Sequence, residues 1–160
     1  MTYRAVISIA EQQLSVWQDD ACVYQCPISS AANGVGCVRD TGCTPMGKHY
    51  VRAAIGAGMP ASTVFKARRP TGELWSPELA ANHPNRDWIL GRILWLSGME
   101  SGINRGGFVD TFARYIYCHG APDDGVTGVP ASHGCIRLRV SDIVPVFEYL
   151  AYGSIVDIRP

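Results

Sequence analysis

At 160 residues, 47% hydrophobic and 18% charged, the chain is long enough to bury about 70% of the surface its unfolded form exposes and too apolar for intrinsic disorder. Fourteen basic residues balance fourteen acidic ones, which removes the net field a nucleic-acid or anionic-membrane binder uses. No apolar run approaches a membrane span, and residues 5–10 before Glu11 fall short of a secretory core of roughly 7–15 residues. The reading is therefore a cytoplasmic protein, or a periplasmic one if a leader has been cut away.

The first thirty residues have strand chemistry: "YRAVISIA", "LSVW" and "CVYQCPIS", separated by the polar turns "EQQ" and "QDD", predict a meander. "SSAANGVGCVRDTGCTPMG", residues 29–47, is rich in Gly, Ser, Asn and Pro without periodicity and reads as a long surface loop of the functional kind. "KHYVRAAIG" resumes a strand. Residues 59–87, with Pro70 and Pro77 and little pattern, read as irregular, and "WILGRILWLSG" as a central strand.

"RYIYCHG" alternates, putting Tyr115, Tyr117 and His119 on one face and Ile116 and Cys118 on the other, so His119 ends a strand and Cys118 belongs to the core. In "SDIVPVFEYLAYG", Ile143, Val146, Phe147 and Leu150 have helical spacing, with Ser141 as the cap, Pro145 in the first turns and Gly153 as the stop. "SIVDI" closes as a strand. No repeat or linker divides residues 1–160, so the expectation is one mainly β domain with one C-terminal helix.

Of the six cysteines, Cys22 and Cys26 share one strand, about 13 Å apart at strand rise, too far to bond each other. Free thiols in a reducing compartment are the expectation, with Cys37 and Cys43 the pair that would overturn it.

The segment "ASHGCIRL", residues 131–138, concentrates the chemistry. A nucleophilic cysteine needs a base and donors for a developing oxyanion. Gly134 leaves the backbone before Cys135 free to turn consecutive N–H groups toward one oxygen. His119 lies sixteen residues upstream, and the Gly-, Pro- and Asp-rich loop between them suits a return of the chain. His133 is the alternative base, since spacing alone leaves its geometry open. A zinc site from His119, His133 and Cys135 lacks the Cys-x-x-Cys and His-x3–5-His spacings. His49 and His83 have no sequence partners and read as surface or satisfied structural histidines.

"YIYCHGAPDDGVTGVPASHGCIRL" resembles the signature of the L,D-transpeptidase catalytic domain (YkuD type), in which a His is followed, after a loop, by Ser/Thr-His-Gly-Cys. "CTPMGKHYVRAAIG", the central "RILWLSGMESGINRGGFVDTFARYIY" and the closing "YLAYGSIVDI" extend the resemblance over nearly the whole chain. It implies a β-sandwich and a cysteine enzyme without cofactor or metal. Cys135 would be nucleophile, His119 base and the Gly120 carbonyl the group that orients the imidazole. The N–H groups of His133, Gly134 and Cys135 would form the oxyanion hole. Ser132, Tyr117 and Arg137 would lie beside the substrate, Ser132 also shaping the motif.

Arg137 stands where many relatives have Asn, about 6.6 Å along an extended backbone from Cys135, a reach suited to a substrate carboxylate or to a loop-shaping salt bridge. The implied partner is a tetrapeptide stem of peptidoglycan, cleaved to release the terminal D-Ala through a thioester. Water as acceptor gives an L,D-carboxypeptidase, which the missing leader favours as a step in wall recycling. A second stem as acceptor gives an L,D-transpeptidase making 3-3 crosslinks, and a wall-binding protein without catalysis is the reading of another class. Residues 29–47 and 99–107 are the expected walls of the cleft.

Overall fold

A computed structural model of the chain describes residues 2–160. Strands β1 (Arg4–Ser8), β2 (Gln13–Gln18) and β3 (Ala21–Pro27) form the predicted antiparallel meander. Alternation in the sequence becomes alternation in burial: Ala5, Ile7, Leu14 and Val16 are fully buried while their neighbours are not. β4 (Gly47–Ile55) and β7 (Ile89–Gly98) follow as read, and β10 (Ile155–Arg159) inserts between β1 and β4, parallel to the first and antiparallel to the second.

The main path of the sheet runs β3-β2-β1-β10-β4-β7-β5-β6. A branch leaves β7 through β8 (Tyr117–Ala121) to β9 (Ile136–Arg139). The ten-stranded sheet curls until its two halves meet. Ile7, Leu14 and Ile158 from one end share a core with Leu94, Leu96, Cys118, Ile136 and Leu138 from the other. Burying this apolar surface supplies the main driving force for closure.

Residues 59–87 depart from the irregular reading. They hold a hairpin of β5 (Thr63–Lys66) and β6 (Arg69–Leu74), then a short helix α1 (Pro77–Asn82). The turn residues Ala67 and Arg68 both have positive φ, 47° and 68°, the geometry of a two-residue hairpin loop normally marked by Asn-Gly. Without glycine there, the turn was invisible. Pro70 is tolerated because β6 ends the path of the sheet. Ser76 caps α1 by accepting from the Leu79 N–H at 3.1 Å, with Pro77 in the first turn.

The C-terminal helix α2 (Val140–Tyr149) begins earlier than expected, directly from β9. Ser141 lies inside it, and Arg139 precedes it without a side-chain cap. Pro145 therefore deprives the Ser141 carbonyl of its usual donor. The helix ends at Leu150, whose N–H reaches the Val146 carbonyl, and Gly153 turns the chain afterwards with φ 91°. Ile143, Val146 and Leu150 face the core as spaced.

The strand containing His119 also starts later than read. Tyr115 has φ 58° and lies outside β8, a left-handed conformation uncommon for a non-glycine residue. Residues 99–107, expected at the cleft, brace β4 instead. Asn104 Nδ2 donates to the Met46 and Lys48 carbonyls at 3.0 and 3.1 Å, and Glu100 accepts from the Lys48 N–H at 2.9 Å.

Candidate active site

β8 and β9 run parallel, with His119 opposite Arg137 and Cys118 opposite Ile136. Residues opposite each other, or two apart, share a face. Tyr117, His119, Cys135 and Arg137 thus share one side, while Cys118, Ile136 and Leu138 point into the core. Cys135 immediately precedes β9, two residues before Arg137, the β9 partner of His119.

The His119 ring is 2% exposed, and its Nδ1 lies 2.7 Å from the Gly120 carbonyl oxygen. A carbonyl only accepts, so Nδ1 carries the proton and Nε2 keeps its lone pair. Burial lowers the pKa of the ring below the usual histidine value, which keeps it neutral.

Cys135 is half-buried, packed against the cluster of Phe65, Ile93 and Tyr117. Its Sγ accepts from the Tyr117 N–H at 3.3 Å and donates to the Tyr115 carbonyl at 3.4 Å. The left-handed turn at Tyr115 is what aims both backbone groups at one sulfur. Burial pushes the thiol pKa up to about 12 and the Asp87 charge adds to this, while the Tyr117 N–H, Arg137 and Arg114 pull it down. Thiol and imidazole are accordingly both neutral at rest.

The segment before the cysteine is tied from several sides. Ser132 is 3% exposed; its hydroxyl donates to the Cys135 carbonyl at 2.5 Å and accepts from the Gly134 N–H at 3.2 Å. The Gly134 carbonyl accepts from Thr44 Oγ1 at 2.9 Å. Gly134 has φ 134°, and a Cβ there would stand 3.2 Å from Ile116 Cδ1, so a side chain is disfavoured twice over. The loop 29–47 also reaches this segment: Ser29 exchanges two backbone hydrogen bonds with Arg137, at 2.9 and 3.0 Å, and Thr44 accepts from the Ala31 N–H at 2.9 Å. Its length is explained by this work of clamping.

Other expected residues take different places. The Tyr117 side chain is 4% exposed and its hydroxyl accepts from Arg68 Nη1 at 2.9 Å, so its backbone rather than its ring serves the site. Burial of Ser132 likewise makes it a brace of the motif rather than a contact for a ligand. His133 is exposed and faces Asp87, Nδ1 to Oδ2 3.7 Å. His49 is a satisfied buried histidine, 2.9 Å from the Gly47 carbonyl and 2.8 Å from Thr111 Oγ1. His83 is exposed, edge-on to Trp88. All six cysteines are free, with Cys37 Sγ accepting from the Met46 N–H at 3.4 Å and Cys43 Sγ donating to the Asn33 carbonyl at 3.5 Å.

Three charged residues at the site carry no local sequence signal. Arg114 donates to the Gly36 and Cys43 carbonyls at 3.2 and 2.6 Å, holding the loop beside the thiol. Arg68 arrives from the unrecognised hairpin and lies over Trp95 and Tyr115 at 4.9 and 4.7 Å. Asp87 accepts from Arg137 Nη2 at 3.1 Å. Only folding brings these positions together.

Two clefts meet at His133. One, of about 570 Å³, is lined by Trp75, Asp87, Trp88, Pro122 and Arg137. The other, of about 460 Å³, is lined by Arg39, Asp40, Gly42, Arg114 and Tyr115.

A thiol and a carbonyl-tethered imidazole on one face of a curled sheet define a cysteine-based catalytic domain of mainly β architecture. Its family follows from the sequence as a whole: the family model for the L,D-transpeptidase catalytic domain matches residues 2–158, and the chain belongs to that family. No curated protein matches the chain.

Solved structures with a similar fold include L,D-transpeptidase 3 from Mycobacterium tuberculosis in complex with a faropenem-derived adduct (17% identity, TM-score 0.60, 99% of this chain and 60% of that one). An L,D-transpeptidase from Xylanimonas cellulosilytica has 16% identity and a TM-score of 0.58 over 99% and 60% of the two chains. One from Mycobacterium smegmatis has 16% identity and a TM-score of 0.56 over 99% and 59%. The chain spans about three fifths of the length of these relatives.

Proposed function

We propose that the protein is a cysteine L,D-carboxypeptidase that removes the terminal D-Ala from tetrapeptide stems of peptidoglycan, a reaction suited to wall recycling. The observation that carries this reading is the tether of His119 Nδ1 to the Gly120 carbonyl, 2.7 Å, which leaves Nε2 as a proton acceptor on the face shared with Cys135. Family membership supplies the class of substrate.

Because both groups rest neutral, the thiol surrenders its proton as it attacks. Cys135 Sγ bonds to the carbonyl carbon of the third residue while His119 Nε2 takes the thiol proton. The oxyanion is met by the N–H groups of His133 and Cys135, the Gly134 N–H being held by Ser132 in the resting arrangement. Collapse breaks the C–N bond, the imidazolium protonates the departing D-Ala amine, and a thioester remains. Water, giving its proton to His119, releases the trimmed stem and restores the thiol.

The second reading, L,D-transpeptidation, is favoured by the two clefts that meet at His133, two residues before Cys135, separate room for a donor and an acceptor. Mass spectrometry of a tetrapeptide stem incubated with the protein and with Cys135→Ala tests both. Loss of one D-Ala, abolished by the substitution, is the expected result. Crosslinked dimers without trimming favour the second reading, and an unchanged peptide overturns both.

A further inference from the structure

We propose that Asp87 is a specificity-determining residue: it caps Arg137 in the resting protein and gives up that guanidinium to a ligand ending in a free carboxylate. The inference deepens the proposed function and rests on it, since Arg137 lies two residues beyond Cys135.

Two arginines line this cleft, and they are held very differently. Arg86 is engaged by both oxygens of Glu73, at 2.8 and 3.3 Å, and lies 4.5 Å over the Trp88 ring. A guanidinium held in that forked way is committed. Arg137, only 14% exposed, meets Asp87 through a single nitrogen at 3.1 Å, and the Asp87 side chain is 46% exposed. The second Asp87 oxygen is turned toward His133 at 3.7 Å. A single-contact pair with a solvated carboxylate is weak and readily exchanged.

Position gives that exchange its meaning. Arg137 lies two residues beyond Cys135 on the same face, about 6.6 Å along the strand. A peptide with one residue past the carbonyl attacked by the thiol carries its terminal carboxylate only about 3.8 Å farther on, within reach of the Arg137 fork. That carboxylate can offer two oxygens where Asp87 offers one. An amidated end lacks the charge needed to displace Asp87, and the cap stays on. Arg137 recognises the anion and Asp87 sets the threshold, with His133 beside it to receive the displaced carboxylate.

The test is an NMR titration with N-acetyl-D-alanine and N-acetyl-D-alaninamide in the Cys135→Ala background, which prevents any cleavage. Adding Asp87→Asn, of nearly the same shape, is expected to tighten binding of the acid about two- to fivefold and leave the amide unchanged. Asp87→Ser is expected to act in the same direction, and Arg137→Gln to abolish the preference for the acid. Acid that binds the Asp87 variants no tighter, acid and amide that tighten alike, or no binding of the acid to any form overturns the inference. A protein with the expected preferences but no D-Ala release keeps the role of Asp87 and loses the proposed reaction.

Discussion

Gly120→Ala strikes the tether of the imidazole without touching a catalytic side chain. A Cβ at this position would lie 2.3 Å from the Leu90 carbonyl oxygen and 2.9 Å from Ile143 Cγ2. Ile143 can rotate away, but Leu90 is the β7 partner of Gly120 in the sheet, and its carbonyl cannot. Reaching even a 3.0 Å separation, which real Cβ contacts essentially never undercut, requires β7 and β8 to part by about 0.7 Å at that point, in a close-packed interior. The expected cost is about 1–3 kcal/mol, a fall in Tm of about 3–10 °C for a chain of this size. The shift also carries the Gly120 carbonyl away from His119 Nδ1, and a misplacement near 1 Å costs about 10²-fold in rate. Calorimetry, imidazole ¹⁵N shifts and D-Ala release read the three effects, the shifts reporting a mixture of tautomers in place of the Nδ1–H form. A variant with unchanged Tm and a pure Nδ1–H tautomer would refute the packing argument.

The other predictions concern protonation and the clamp on the motif. With its thiol pushed up to about 12, Cys135 should react with iodoacetamide at pH 7 on the order of 10³-fold more slowly than an ordinary thiol, its rate climbing with pH; a plateau below pH 10 would contradict this. Burial lowers the pKa of both His49 and His119 from 6.5, so the unfolded chain binds more protons below that pH. Their contribution is whole above about pH 6.5 and is lost as the pH falls toward the lowered folded values. Tm should therefore decline below pH 6.5, and His49→Gln should flatten part of the decline; a Tm constant from pH 7.5 to 5.5 contradicts it. Thr44→Val removes the bonds to the Gly134 carbonyl and from the Ala31 N–H. It should cost about 2–4 kcal/mol in urea unfolding, with Thr44→Ser recovering most of it; a variant as stable as the parent would show that the clamp contributes nothing.

The meander, the central strand and the apolar stripe of α2 were legible because period-two and helical burial patterns leave direct marks in the sequence. The hairpin at β5 and β6 was not, because Ala67 and Arg68 adopt positive φ without the glycine or asparagine that normally signals it. The start of α2 escaped for a related reason: β9 passes into the helix with no capping side chain to mark the junction.

The sequence by itself put His119 at the end of a strand, on the opposite face from Cys118, and its resemblance to the family motif, not its spacing, paired His119 with the His-Gly-Cys segment. It also determined that Gly134 precedes the thiol and Arg137 follows it on the same side. Only the tertiary structure decided what surrounds them. Asp87 comes from the link after α1, Arg68 from a hairpin, Arg114 from the turn before β8 and Thr44 from the long loop. Electrostatic and hydrogen-bond effects act over a few ångströms of space, and residues tens of positions apart in the chain acquire that proximity only when the sheet has curled closed.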